Sequence, residues 1–187
     1  LRKYYSMHCQ DGWLAAGGDK GYAAIYHLAG EVGEGTPSAL TFRAHKGWLS
    51  EIQCLSKQEP GKRLVLTSGN DGRAALWDVS KSATQGSVTM ALCLGTADHL
   101  HSSGIFSLHE RGGAVLTGSK DASVCHSAVD DTGAFRVVHT FDEIHGGVVK
   151  SVRWRGEADL FASTGNDGRV CIVDPRTRGV ALEIEDA

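Results

Sequence analysis

Short runs of apolar and small residues, about five long, alternate along this chain with polar turns that carry glycine. The last quarter shows the pattern most plainly. Strands are predicted over Val148–Trp154, Leu160–Thr164, Arg169–Asp174 and Val180–Ile184, separated by polar turns, the lengths expected of antiparallel β-structure. The runs are apolar or small on consecutive positions, not on alternate ones: Ala74, Ala75, Leu76 and Trp77, or Val170, Cys171, Ile172 and Val173. A strand covered on one face alternates; consecutive apolar residues are those of a sheet covered on both faces. The fold class is therefore all-β, built from sheets that stack.

The pattern also repeats. Gly69-Asn70-Asp71-Gly72-Arg73 returns as Gly165-Asn166-Asp167-Gly168-Arg169. Asp71, Asp121 and Asp167 mark the same turn, and Lys20 holds its place in a degenerate first copy, so the copies lie 51, 50 and 46 residues apart. Upstream, a His is followed by apolar residues four and seven places on: His45 with Leu49 and Ile52, His101 with Ile105 and Leu108, His145 with Val149 and Val152. Self-similarity at this period marks a repeat architecture. The chain reads as one segment, 1–187, of four repeats spanning roughly 1–44, 45–100, 101–144 and 145–187, each a unit of four strands.

Physical chemistry explains why these residue types recur. Gly72 and Gly168 can take the positive φ of a tight hairpin. A buried Asp in such a turn needs donors. His45, Thr67, Asp71 and Trp77 are placed to form a closed hydrogen-bond chain, and His101, Thr117 and Asp121, or His145, Ser163 and Asp167, repeat most of it. A Ser/Thr–His–Asp set also resembles a hydrolase triad. An enzyme needs one such site, whereas these recur in copy after copy, so the reading is structural and the chain is expected not to be an enzyme.

Composition narrows the partners. Net charge is −3 and the pI about 6.3, which gives no electrostatic case for nucleic acid or an anionic membrane. No apolar stretch approaches the roughly 18 residues of a membrane span. Five scattered cysteines without a CxxC pair point to a reduced, intracellular protein, cytoplasmic or nuclear. Cys125 and Cys171 share a repeat position with Ala24 and Ala75 and read as packing residues. No metal or other cofactor is expected. The chain begins at Leu1 without Met, and a fragment of a longer protein is expected.

The His…Ser/Thr…Asp…Trp-Asp arrangement, complete in the second repeat at Leu76-Trp77-Asp78, resembles the WD-repeat β-propeller family. The resemblance covers essentially the whole chain. The third repeat has Ser127 and the fourth Val173 where Trp belongs, and the first has Ala16, Lys20 and Tyr26. It implies a propeller of four-stranded antiparallel blades, about four present. Four blades make an open arc, whose bare ends should self-associate. The outer loops Gly30–Ser38 and Ser80–Gly86 are expected to be flexible.

By resemblance, function is non-catalytic: a scaffold binding other proteins or peptides through the rim and central face. Trp48, Ser50, Asn70, Phe106, Lys120, Lys150 and Asn166 are the rim candidates. Two alternatives carry over. Asp174-Pro175-Arg176 resembles the end of a box by which substrate receptors dock onto cullin–RING ubiquitin ligases, with Asp174 and Arg176 as docking residues. Histone or chromatin binding is the other, resting on acidic rim residues in some family members.

Overall fold

The computed structural model describes residues 3–28, 39–55, 62–80, 91–142, 144–156 and 159–185. The two outer loops expected to be flexible lie outside these residues, apart from Ser80. Among the described residues there are four four-stranded antiparallel sheets, each a simple meander in chain order. The first comprises β1 (Tyr4–Gln10), β2 (Trp13–Gly18), β3 (Tyr22–His27) and β4 (Ala39–Arg43). The second comprises β5 (Leu49–Cys54), β6 (Leu64–Gly69), β7 (Ala74–Asp78) and β8 (Leu92–Ala97). The third has β9 (Ile105–Arg111), β10 (Ala114–Ser119), β11 (Val124–Val129) and β12 (Phe135–Phe141). The fourth has β13 (Val149–Trp154), β14 (Phe161–Gly165), β15 (Arg169–Asp174) and β16 (Gly179–Glu185), each bound within a residue of the sequence expectation. A short 3-10 turn, Asp19–Gly21, replaces the hairpin turn of the first sheet.

The core lies between the sheets. Ala15, Ala23 and Ile25 of the first sheet pack on Leu49, Ile52 and Val65 of the second. Leu66 and Leu76 pack on Ile105, Leu108 and Val115 of the third. Leu116 and Val124 then meet Val149, Val152 and Phe161 of the fourth. Successive residues of one strand thus serve different cores: Val65 faces back and Leu66 forward, Val115 back and Leu116 forward. Side chains alternate across a strand, so a sheet covered on both faces needs apolar residues at consecutive positions. At the leading face of the first sheet, Tyr4 and Met7 hold the places of Leu49 and Ile52, yet are 47% and 76% exposed, against 0% and 1% for their counterparts. The propeller is unclosed.

Polar stitches register each sheet on the next. His8, Gln53 and His109 occupy one repeat position on the innermost strands. Each accepts the backbone N–H of the following sheet: Cys54 N–H donates to His8 Nδ1 (3.2 Å), Glu110 N–H to Gln53 Oε1 (2.8 Å) and Trp154 N–H to His109 Nδ1 (3.1 Å). Ser6 and Ser107 accept from Ile52 N–H and Val152 N–H in the same way, both at 3.2 Å. Arg153 holds the equivalent place in the fourth sheet, where a guanidinium cannot accept. It turns back instead, donating to Ser107 Oγ at 3.0 Å and reaching Glu51 at 3.5 Å.

An imidazole nitrogen accepts only while unprotonated. Burial, reinforced by Arg153, His8 and Arg111, holds His109 down to about 4 from an ordinary value of 6.5. The unfolded chain therefore binds the proton first. The stability contributed by His109 is complete above about pH 6.5 and is lost as pH falls toward 4. Gln53 shows that an amide oxygen performs the same task. His109→Gln should keep the neutral-pH melting temperature and flatten its fall between pH 6.5 and 4, whereas His109→Ala should lose about 1–3 kcal/mol at neutral pH. Thermal melts across pH check this; an unchanged acid slope in the glutamine variant refutes it.

Candidate functional site

Each sheet must hold its hairpin turns still before it can present anything, and the turn Asp is the anchor. In the second sheet Asp71 Oδ1 lies 2.9 Å from His45 Nδ1, and His45 Nε2 lies 2.9 Å from Thr67 Oγ1. An ionised carboxylate only accepts, so Nδ1 carries the proton and the Thr67 hydroxyl donates to Nε2. The Trp77 indole N–H closes the chain by donating to Thr67 Oγ1 at 3.0 Å. Burial opposes the charge on Asp71, but His45 and the N–H groups of Lys46 and Arg73 hold its carboxyl down to about 2. In the fourth sheet His145 contacts both oxygens of Asp167 at 3.1 Å and Ser163 Oγ at 2.8 Å. Hydrogen bonds from Gly146 N–H, His145 and Arg169 outweigh burial there and also lower the Asp167 carboxyl. Val173 fills the Trp position as a buried apolar residue. Among the described residues the first sheet has no His–Ser/Thr–Asp set.

The third sheet differs, for a reason that the pentapeptide contains. A Cβ on Gly69 would lie 2.5 Å from His45 Nδ1 and 2.7 Å from Asp71 Oδ1; on Gly165 it would lie 2.7 Å from His145 Nδ1 and 2.6 Å from Asp167 Oδ1. The first glycine of Gly-Asn-Asp-Gly-Arg is therefore required by the His–Asp hydrogen bond itself. The third copy has Ser119 there. The His101 Nδ1–Asp121 Oδ1 distance opens to 3.3 Å, and Ser123 Oγ bridges the two, 2.9 Å from the imidazole and 2.7 Å from the carboxylate. His101 Nε2 still meets Thr117 Oγ1 at 2.8 Å. Burial lowers the His101 pKa, outweighing Asp121. Ser127, in the Trp position, is buried with its hydroxyl unpaired among the described residues. Gly72 and Gly168 have φ of 77° and 78°, and the third copy places Ala122 there at 71°. Non-glycine residues are strained in that region. The third turn thus departs from its siblings twice.

The anchored turns position a second feature, on the innermost strands. Each carries one β-bulge against its neighbour, between Tyr4 and Ser6, Leu49 and Glu51, Ile105 and Ser107, and Val149 and Ser151. The skipped residues are Tyr5, Ser50, Phe106 and Lys150. A bulge re-aims its side chain out of the pleat. Three of them converge: Tyr5, Ser50 and Phe106, with Trp48, line a depression of about 300 Å³. Trp48 stands edge-on between Tyr5 and Phe106, both at 6.4 Å between ring centroids, and Lys150 Nζ lies 4.3 Å over the Phe106 ring. Trp48 is 42% exposed and Tyr5 57%.

The turns close around this mouth. Asn70 N–H donates to Trp48 O (3.0 Å), Lys120 N–H to Gly104 O (2.9 Å) and Asn166 N–H to Val148 O (2.9 Å). Gly104 lies against Asn70, where a Cβ would sit 2.6 Å from Asn70 Oδ1. Trp48, Ser50, Asn70, Phe106 and Lys120 are thus one contiguous patch, with Lys150 at its edge and Asn166 one turn further. Sequence reasoning missed Tyr5. Rim positions are counted from the His residues present, and the first repeat's His position falls before Leu1, so only its Tyr4 and Met7 are placed, at the apolar positions, and its rim position is left out.

Asp174 and Arg176 lie away from this patch, Asp174 at the end of β15 and Arg176 in the turn that follows. Their side chains pair with each other: Arg176 Nε donates to Asp174 Oδ1 (2.9 Å) and Nη2 to Oδ2 (2.7 Å), while the Arg176 backbone N–H reaches Oδ1 at 3.0 Å. The Arg176 bonds hold the Asp174 carboxyl down to about 2. Cys125 and Cys171 are fully buried in the second and third inter-sheet cores. Among the described residues no three His, Cys, Asp or Glu side chains gather to hold a metal ion, and no helix is long and apolar enough to cross a membrane.

Four stacked meanders with anchored turns define a partial β-propeller, and known proteins share features with it. The family model for the WD domain, G-beta repeat, matches residues 37–78 and 135–174. The chain is 27% identical over 169 residues to a guanine nucleotide-binding protein subunit beta of Oryza sativa subsp. japonica, a match covering 88% of this chain and 42% of that protein. Among solved structures it resembles the WD40 beta propeller domain of Doa1 (TM-score 0.70, 22% identity, 97% of this chain, 54% of that one). It also resembles the computationally designed Ika8 protein (TM-score 0.72, 16% identity, 98% of this chain, 49% of that one). These matches support a WD-repeat family, and four blades are described. It spans less than half the length of the curated relative it matches. Each matched stretch ends with the third strand of a blade, β7 or β15, and takes in the outer strand of the blade before, β4 or β12. Covalent repeat and blade are out of step by one strand.

Urea denaturation tests the requirement for Gly69. Gly69→Ala should cost about 2–3 kcal/mol, because a Cβ there separates a buried imidazole from its carboxylate. Gly168→Ala, with nothing within 4 Å of its Cβ, should cost only the left-handed backbone strain, about 1 kcal/mol. Equal losses would refute the assignment.

Proposed function

We propose that this chain is a non-catalytic scaffold that binds other proteins or peptides at the inner-strand mouth and its rim, through Trp48, Ser50, Asn70, Phe106, Lys120, Lys150 and Asn166 together with Tyr5. The observation that carries the reading is the bulge repeated in all four innermost strands. Bulges concentrate where a side chain must be re-aimed, and here they turn Tyr5, Ser50 and Phe106 toward one depression, with Lys150 over the Phe106 ring. Exposed aromatics in a concave patch are the usual anchors of protein interfaces. The His–Ser/Thr–Asp sets support a structural role. His45 and Thr67 are buried, and the Thr67 hydroxyl is already taken by His45 and Trp77. The rice relative is by its name a subunit of a larger assembly, in keeping with a scaffold. Five free cysteines, three of them buried, suit a reducing compartment inside the cell.

Neither alternative is favoured by an observation. Ligase docking through Arg176 would require the guanidinium to leave its paired contact with Asp174. A basic histone tail would meet exposed lysines at the mouth, since the turn carboxylates are engaged with His45, His101 and His145.

Affinity purification separates these readings. Partners retained by the wild-type chain should be lost from a Trp48→Ala/Phe106→Ala variant of unchanged melting temperature, and kept by Arg176→Ala. The reverse pattern would favour docking through Arg176.

The bare blade ends support self-association. Tyr4 and Met7 are exposed at one end, and Leu182 and Ile184 of β16 near the other. Sedimentation velocity of the isolated chain should show a sedimentation coefficient that rises with concentration; a constant monomer value would remove this part of the reading.

A further inference from the structure

The mouth also carries a charge pattern, and it points to the class of partner. Resting on the scaffold reading above, we propose that the mouth takes an acidic peptide segment bearing a bulky apolar side chain. The apolar group seats among Tyr5, Trp48 and Phe106, and the carboxylates on either side of it face Lys46, Lys120 and Lys150.

The seat is apolar and stiff. Trp48 is held edge-on from both sides, and its carbonyl is fixed by Asn70 N–H. About 300 Å³ is the lower end of ligand pockets, room for one or two side chains. The charged groups around it differ in what they can still bind. Every carboxylate that anchors a turn already accepts hydrogen bonds: Asp71 from His45, Asp121 from Ser102 N–H and Ser123, Asp167 from His145 and Arg169. On the inner strands Glu51 is taken by Ser6 and Arg153, and beside the second turn Asp98 is taken by Arg73. The lysines are not so used. Lys46 and Lys120 are exposed, fixed only through their backbones, and Lys150 rests on the Phe106 ring. No carboxylate among the described residues forms an ion pair with these three ammonium groups.

The lysines can therefore meet incoming carboxylates without first breaking a bond in the protein, whereas a basic segment would meet like charge. These exposed lysines stand on a chain of net charge −3. That net charge disfavours a long polyanion such as nucleic acid, so a short acidic peptide is the favoured ligand.

The test uses the whole chain and a random dodecamer peptide library displayed on phage, with Trp48→Ala for counter-selection. Enriched sequences should carry Leu, Ile, Phe or Trp flanked by Asp or Glu. A fluorescent peptide of that kind should bind about tenfold more tightly than copies with the acids changed to Lys, or with the apolar residue changed to Ser. Binding should weaken with salt. Lys120→Glu/Lys150→Glu should weaken it about tenfold without lowering the melting temperature, and poly(A) should not compete.

Enrichment of basic or uncharged peptides that still need Trp48 would overturn this inference and leave the mouth as the binding face. Enrichment independent of Trp48 would overturn both readings, as would the absence of any selected peptide together with partners retained by the Trp48→Ala/Phe106→Ala variant. Displacement of the peptide by poly(A) would assign the patch to nucleic acid and overturn the inference.

Discussion

No sheet in this protein owns a core. Each hydrophobic cluster is assembled from two neighbouring sheets, so a blade can bury its faces only by stacking. This constraint accounts for the consecutive apolar residues within strands and for the exposed Tyr4 and Met7 where no preceding blade covers them. Stability in such an array is close to a sum of blade and interface contributions. It also makes polar registration necessary, because hydrophobic burial has no direction. The stitches from His8, Gln53 and His109 fix one blade on the next to within a hydrogen bond.

Within a blade, the turn Asp has the corresponding role. Its carboxylate is held by an imidazole and by backbone N–H groups, and the imidazole is held by a hydroxyl on the neighbouring strand. The three copies are graded. The second is closed by an indole, the fourth lacks the indole, and the third accommodates a Cβ by inserting a serine hydroxyl between acid and base. The same local fold therefore survives three different endings of its polar chain, because the carboxylate keeps donors in each.

These anchors matter to function through geometry. Asn70, Lys120 and Asn166 precede the turn Asp in their copies, and their N–H groups pin the backbone beside the bulged residues. A turn that cannot move thus holds a mouth that does not need to. The bulges turn tyrosine, serine and phenylalanine toward one place, with lysine over the phenylalanine ring, at positions where regular pairing would have left them in the pleat.

Much of this was legible in the sequence. The repeated pentapeptide, the His spacing and the doubled apolar pattern determine four stacked meanders, and they name most of the residues that anchor the turns. Those signals are local or periodic, so one chain is enough to read them. The glycine at position 69 was present in the motif, but the reason for it was not. Only the fold brings His45 Nδ1 and Asp71 Oδ1 to either side of the missing Cβ. The stitches were hidden for the same cause, since His8 and Gln53 differ in type and share only an acceptor atom and a place. Tyr5 escaped because its repeat lacks the His that indexes the others. The sequence alone determined that four-stranded units repeat and stack. Tertiary structure decided what the blades present, because a bulge is a property of two paired strands, and a mouth is a property of four.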